Sequence, residues 1–159
     1  MAAGFREGKG VYRYKNGDEY DGSWMMGRRD GDGRLWSPET RTLYEGQWEE
    51  GLKNGKGELK IMKEGEGHAA DPEESYIGNF RNDKQDGEGV YSYTDRSRYE
   101  GYWKNGLRDG LGKQFDTEGN LEMEGVWDQD TYAGKVSKFC PFIISRGTDA
   151  QSSERVGGP

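Results

Sequence analysis

The sequence is poor in the residues from which most enzyme sites are built, with one cysteine and one histidine in 159 residues. Cys140 alone can form neither an intrachain disulfide nor a multi-thiolate metal site, and it points to a reducing compartment such as the cytoplasm. His68 alone excludes a histidine pair around a metal and leaves no Ser-His-Asp set with positional support. Long apolar runs are missing too. The longest, 139–144, is broken by Pro141 and falls far short of the ~20 residues that cross a bilayer. The opening MAAGFREGKG has no apolar leader core, so neither secretion nor insertion is expected. Apolar residues make up 30% of the chain against 33% charged, which is thin material for a globular core. A net charge of -7 argues against nucleic acid as a partner.

Glycine and aromatic residues are abundant, at 27 glycines and 13% aromatics. A short pattern recurs: YDGSW at 20, YEGQW at 44, YIGNF at 76, YEGYW at 99 and MEGVW at 123. The anchors are 24, 32, 23 and 24 residues apart (44−20, 76−44, 99−76, 123−99). With each anchor counted as zero, offset 2 is always glycine. Offset 11 is glycine throughout, at Gly8, Gly31, Gly55, Gly87, Gly110 and Gly134, once a partial repeat before Tyr20 is included. Offset 13 is glycine except at Val136, and offset 7 is glycine except at Asp83 and Asp130.

Offsets 0, 2 and 4 alternate onto one face of a strand, and a glycine there is tolerated when a ring from the adjoining strand fills the space above it. Offset 7 falls in a hairpin turn that needs positive φ, which aspartate tolerates. A second turn, such as Lys15-Asn16-Gly17-Asp18, leads to the next repeat. One hairpin per repeat makes an all-β fold, an elongated twisted antiparallel meander of order 50 Å at roughly 10 Å per repeat. Where the interval is 24, the aromatic of the second strand falls at offset 16 (Trp36, Phe115); a bulge near Arg34 or Gln114 would return it to the ring face. The 32-residue interval carries its surplus in MKEGEGHAADPEES, an acidic surface loop that contains His68.

These residues resemble the MORN repeat (membrane occupation and recognition nexus), whose pattern runs Y-x-G-x-W/F, then x-x-G-x-x-x-G-x-G, then strand and turn. The array is assigned to 1–136, as a partial repeat 1–19, repeats starting at 20, 44, 76 and 99, and a degenerate repeat at 123, where Met123, Asp130 and Val136 depart from the pattern. The resemblance implies a fold without catalytic groups and a non-enzymatic scaffold or adaptor. Proteins of this family serve in cilia, flagella, cell-division and membrane-junction structures, and some hold partner peptides or helices along a groove. A subunit of an axoneme or related cytoskeletal assembly is the expected role, and a peripheral module for anionic phospholipid is the alternative.

Three surfaces are candidates for partners. The first is the aromatic-glycine face, with Tyr20, Trp24, Tyr44, Trp48, Tyr76, Phe80, Tyr99, Trp103 and Trp127. The second is a basic rim on that same face, formed at offset 9 by Arg6, Arg29, Lys53 and Arg108, while acids at offset 10 (Glu7, Asp30, Asp86, Asp109) face away. The bland reading is that both columns only solvate the sheet edge. The third is the apolar segment 137–147, in which Phe139, Phe142, Ile143 and Ile144 either cap the array or dock a partner, followed by a polar tail 148–159. The strand edge at Lys9 to Tyr14 leaves room for self-association. Lipid ranks below protein as a partner, because a lipid binder carries a polybasic cluster and this chain has a pI near 4.9. DGDG at 30–33 has Arg34 where a calcium loop needs an oxygen, and GEGHAA at 65–70 lacks the strand and helix of a dinucleotide site, so no metal or cofactor is expected.

Overall fold

The structure, a computed structural model, describes residues 4–136. Its architecture follows from its tight turns. Met26-Gly27, Glu50-Gly51, Asn82-Asp83, Asn105-Gly106 and Gln129-Asp130 all have both residues at positive φ. This is the mirror-image hairpin turn, whose twist matches that of paired strands. Offset 6 therefore adopts the left-handed region as well as offset 7, on residues as unsuited as methionine and glutamate, which the repeat pattern did not reveal.

The turns link strands β1 (Gly8–Arg13), β2 (Glu19–Met25), β3 (Arg28–Ser37), β4 (Thr42–Glu49), β5 (Leu52–Ile61), β6 (Glu74–Arg81), β7 (Lys84–Ser92), β8 (Arg98–Lys104), β9 (Leu107–Phe115), β10 (Leu121–Asp128) and β11 (Thr131–Gly134). They form one open antiparallel sheet in strict sequence order, the meander expected from the repeats. Ten spacings of ~4.8 Å make it about 48 Å long.

Every complete hairpin carries the same irregularity. Trp24 pairs with Arg29 while Gly22 pairs with Gly33, and Trp103 with Arg108 while Gly101 pairs with Gly112. The return strand thus bulges between offsets 9 and 13, and Gly31 at φ 90° and Gly110 at φ 110° bend it there. The offset-11 glycines belong to this bulge, not to a flat strand face. No bulge interrupts the return strands at Arg34 or Gln114 themselves: Asp21, Arg34 and Glu45 form a continuous ladder, and Gln114 pairs with Tyr99 in an unbroken run, the irregularity beside Gln114 lying on β10. The extra residue is absorbed after β3 by the connection 38–41, closed by a further pair Ser37↔Thr42, and after β9 by Glu122 between Leu121 and Met123 on β10.

Alternation accordingly leaves Trp36 and Phe115 on the face opposite the rings. There Trp36 meets His68 of the surface loop at 5.3 Å, and Phe115 lies under the Arg98 guanidinium at 3.9 Å. Gln114 takes the inward position, 8% exposed, with its Oε1 unbonded among the described residues. Leu35 and Leu59 occupy the same offset. Leucine would remove the desolvation cost of the unbonded Oε1 at the loss of one long Nε2–H bond to the Phe115 carbonyl, so Gln114→Leu is expected to stabilise the sheet by about 1 kcal/mol, read as a higher urea midpoint.

Candidate functional site

The nine rings on the aromatic-glycine face are 0–7% exposed. They bury one another. Trp24, Tyr20, Trp48, Tyr44, Phe80, Tyr76, Trp103, Tyr99 and Trp127 form one zigzag in which successive centroids lie 5.0–5.4 Å apart at interplanar angles of 75–89°. Edge-to-face contacts of this kind are favourable beyond the area they bury, by about 0.5–1.5 kcal/mol each. The polar tips are satisfied within the sheet. Trp24, Trp48 and Trp103 donate Nε1–H to the carbonyls of Gly10, Gly33 and Gly89. Tyr20, Tyr44, Tyr76 and Tyr99 reach over the offset-2 glycine of their own strand and donate to the offset-3 carbonyls of Ser23, Gln47, Asn79 and Tyr102.

This corrects two expectations. The ring above Gly101 is Tyr99 of the same strand, and only at Gly112 does that ring come from across the ladder. The nine rings form a core, and on that face, among the described residues, only the half-buried Tyr12, Tyr14, Tyr91, Tyr93 and Tyr132 keep ring surface open. Burial pushes the Tyr20 and Tyr99 hydroxyls up to about 12 and raises those of Tyr44 and Tyr76 as well.

The basic column lies on this face, as alternation requires, but it is engaged. Arg6 covers Tyr12 at 3.7 Å, Arg29 covers Trp48 at 4.2 Å, Lys53 covers Tyr44 at 5.2 Å and Arg108 covers Tyr99 at 5.5 Å. Burial lowers the Lys53 ammonium from its ordinary value. Arg29 also donates to the Gly51 carbonyl, and Arg108 to Asp130. These cations roof the ring chain through cation–π contact rather than forming a free rim.

The acidic column does more than solvate an edge. Glu7 accepts the Met26 N–H and Asp30 accepts the Glu50 N–H, each from the turn of the following repeat. In the same place the offset-7 N–H donates to the offset-9 carbonyl of the repeat before: Gly27 to Arg6, Gly51 to Arg29, Asp83 to Lys53, Gly106 to Gln85 and Asp130 to Arg108. Asp83 and Asp130 add a return bond, their carboxylates accepting the N–H of Lys53 and Arg108. Their role exceeds tolerance of positive φ. Neighbouring repeats are locked together along the turn edge by main-chain geometry.

The opposite face carries the open surface. A depression of about 660 Å³ crosses β5 to β8, with glycines 57, 78, 89 and 101 as its floor and Ile77, Val90 and Tyr102 as apolar walls. A second, of about 870 Å³, continues from β8 to β11 past Leu111, Leu121 and Val136. The floor is main chain, because side chains at offsets 2 and 13 would point to the tyrosine face. Ile77 is 57%, Leu111 53% and Tyr102 44% exposed. Tyr102 donates its hydroxyl to Glu88 at 2.6 Å. The sequence reading overlooked this face; its signal was Ile77 at offset 1, Tyr102 at offset 3 and Val90 at offset 14, apolar where most other repeats carry polar or charged residues. The third candidate surface, with Phe139, Phe142, Ile143 and Ile144, lies outside the described residues. Among the described residues no helix is long and apolar enough to cross a membrane.

The MORN repeat family model matches at residues 2–19, 20–39, 44–61, 76–98 and 99–120. Over 119 residues the chain is 36% identical to alsin of Mus musculus and to alsin of Homo sapiens, a match covering 72% of this chain and 7% of those proteins. It thus spans a small fraction of the relatives it matches. MORN repeats are non-catalytic modules that bind proteins or membrane lipid. Five matched repeats on a sheet whose hairpins follow the same periodicity show that the chain belongs to the MORN repeat family.

Proposed function

We propose that the protein is a non-enzymatic scaffold that holds a segment of a partner protein in the groove opposite its rings. The observation that carries this reading is the pairing of a self-satisfied aromatic face with a bare, glycine-floored groove lined by exposed apolar side chains. Concave surface that joins exposed apolar side chains to a few polar groups is where ligands bind by preference. The acidic pI of about 4.9 and the absence of a polybasic cluster weigh against the anionic-lipid alternative. The proposed setting, on family resemblance, is a cytoskeletal or axonemal assembly, with the partner one of its proteins.

Proximity labelling in ciliated cells tests both parts by comparing the wild-type chain with Ile77→Arg in the groove and Lys53→Gln on the ring face. The groove variant is expected to lose the cytoskeletal neighbours while keeping its thermal unfolding midpoint. Neighbours lost only with Lys53→Gln would move the site to the ring face, and recovery of membrane enzymes without cytoskeletal proteins would refute the axonemal setting.

A further inference from the structure

We infer that the chain's own apolar segment 137–147 packs back onto the second depression, over β8 to β11, and caps the C-terminal end of the array. This depression shares no lining residue with the β5 to β8 depression that carries the partner reading, so either assignment can fail alone.

The sheet is unfinished at this end. The return strands β3, β5, β7 and β9 have 9–10 residues each, whereas β11 has four. It meets β10 only at Val126, Trp127 and Asp128, so the outer edge of 121–125 has no ladder partner among the described residues. A bare edge of this kind invites pairing with another chain, and native sheets ordinarily cover it.

The path of the chain leads to the cover. At the offset of Val136 other repeats hold Gly33, Gly57, Gly89 and Gly112, where a side chain would strike the tyrosine ring. Val136 instead lines the depression with Leu111 and Leu121, after Gly134 at φ 124°, so the chain has turned onto the groove face. These three side chains are 50–53% exposed. Lys113 and Glu124 lie between the two leucines and pair at 3.3 Å, while Arg98 matches Glu100. The charges left in the lining, Glu122 and Lys135, are of opposite sign, so the site suits an apolar occupant better than a charged one.

SKFCPFIISRG starts next to Val136 and holds the longest apolar run of a chain that is only 30% apolar. At ~3.3 Å per residue, Phe139 reaches about 10 Å and Ile144 about 26 Å from Val136, against about 14 Å from β11 to β8. The run is long enough to span the depression. Tethering gives it an effective concentration on the order of 1 mM there, which favours it over a free competitor. Pro141 donates no ladder bond, so the cover interrupts any new strand edge that it presents.

Cys140 is the only cysteine, so its thiol reports on this segment alone. The test compares the rate at which iodoacetamide alkylates the full chain with that of an end-blocked synthetic peptide of residues 137–147. Cys140 is expected to react about tenfold more slowly in the folded chain. Leu111→Asn and Leu121→Asn, at exposed groove-face positions, should bring the rate to within about twofold of the peptide, with far-UV circular dichroism confirming that the sheet is kept. Ile77→Arg, in the other depression, should leave the protection in place.

A rate equal to that of the peptide overturns the inference, as does protection that survives both leucine substitutions. Protection that fades on dilution would give the segment to a second copy, and protection lost in Ile77→Arg would move it to the β5 to β8 depression; either result overturns the cap.

Discussion

Gly101→Val is expected to destabilise the protein by about 3–5 kcal/mol, against less than about 1 kcal/mol for Glu100→Val one residue away. A Cβ on Gly101 would stand 2.5 Å from the Tyr99 hydroxyl oxygen, 2.6 Å from Gly112 Cα and 2.7 Å from the Leu111 carbonyl oxygen. Two of these neighbours are backbone and cannot rotate away. The third belongs to a fully buried ring that touches both Trp103 and Trp127, so moving it breaks the zigzag at its C-terminal end. Glu100 faces the groove, half exposed beside Arg98, and valine suits a strand there. Paired urea denaturation of the two variants measures the difference. Equal midpoints would remove close packing of tyrosine over glycine as the reason for the repeat pattern.

Alkali is expected to unfold the sheet in one cooperative step between pH 10 and 12. Tyr20 and Tyr99 keep their protons in the fold up to about 12, because burial disfavours the phenolate. Unfolded tyrosine releases its proton near 10. Between those values the folded state binds more protons than the unfolded state, so stability is intact below pH 10 and falls as pH rises, by about 1.4 kcal/mol per pH unit for each such tyrosine. Over the two-unit window these two residues alone cost roughly 5 kcal/mol, comparable with the whole stability of a small domain, and Tyr44, Tyr76 and Tyr91 are raised in the same direction. Tyrosinate absorbance at 295 nm and far-UV circular dichroism should change together. Titration of all tyrosines near pH 10 with the dichroism unchanged to pH 12 would contradict the buried-ring core.

The repeat grid was legible because glycine columns have few physical causes. A residue that recurs at fixed offsets, in spite of its entropy cost, marks close approach or positive φ, and both occur, at Gly101 and at Gly31. The sense of the second strand was less legible. An extra residue in a 24-residue interval can sit in the strand or in the connection, and counting cannot tell them apart; the 38–41 connection took it, so Trp36 points away from the rings. The open face was the least legible part. Aromatic residues read as anchors for a partner, and nothing in the spacing says that Tyr44 and Trp48 lie edge to face, roofed by Lys53 and Arg29. What binding surface remains depends on what that packing leaves over.

The two long margins of the sheet differ in kind, like the selvedge and the fringe of a woven cloth. Along one margin every reversal takes two residues and is tied to the repeat before it. Along the other the connections range from 38–41 to the stretch between β5 and β6, 62–73. A residue inserted between Glu50 and Gly51 would shift β5 by one and turn Leu59 outward with everything in phase with it. The fringe can lengthen without disturbing any ring. Diversity among such arrays, and any tag or graft added by design, therefore belongs on that margin, where chain length is not coupled to the weave.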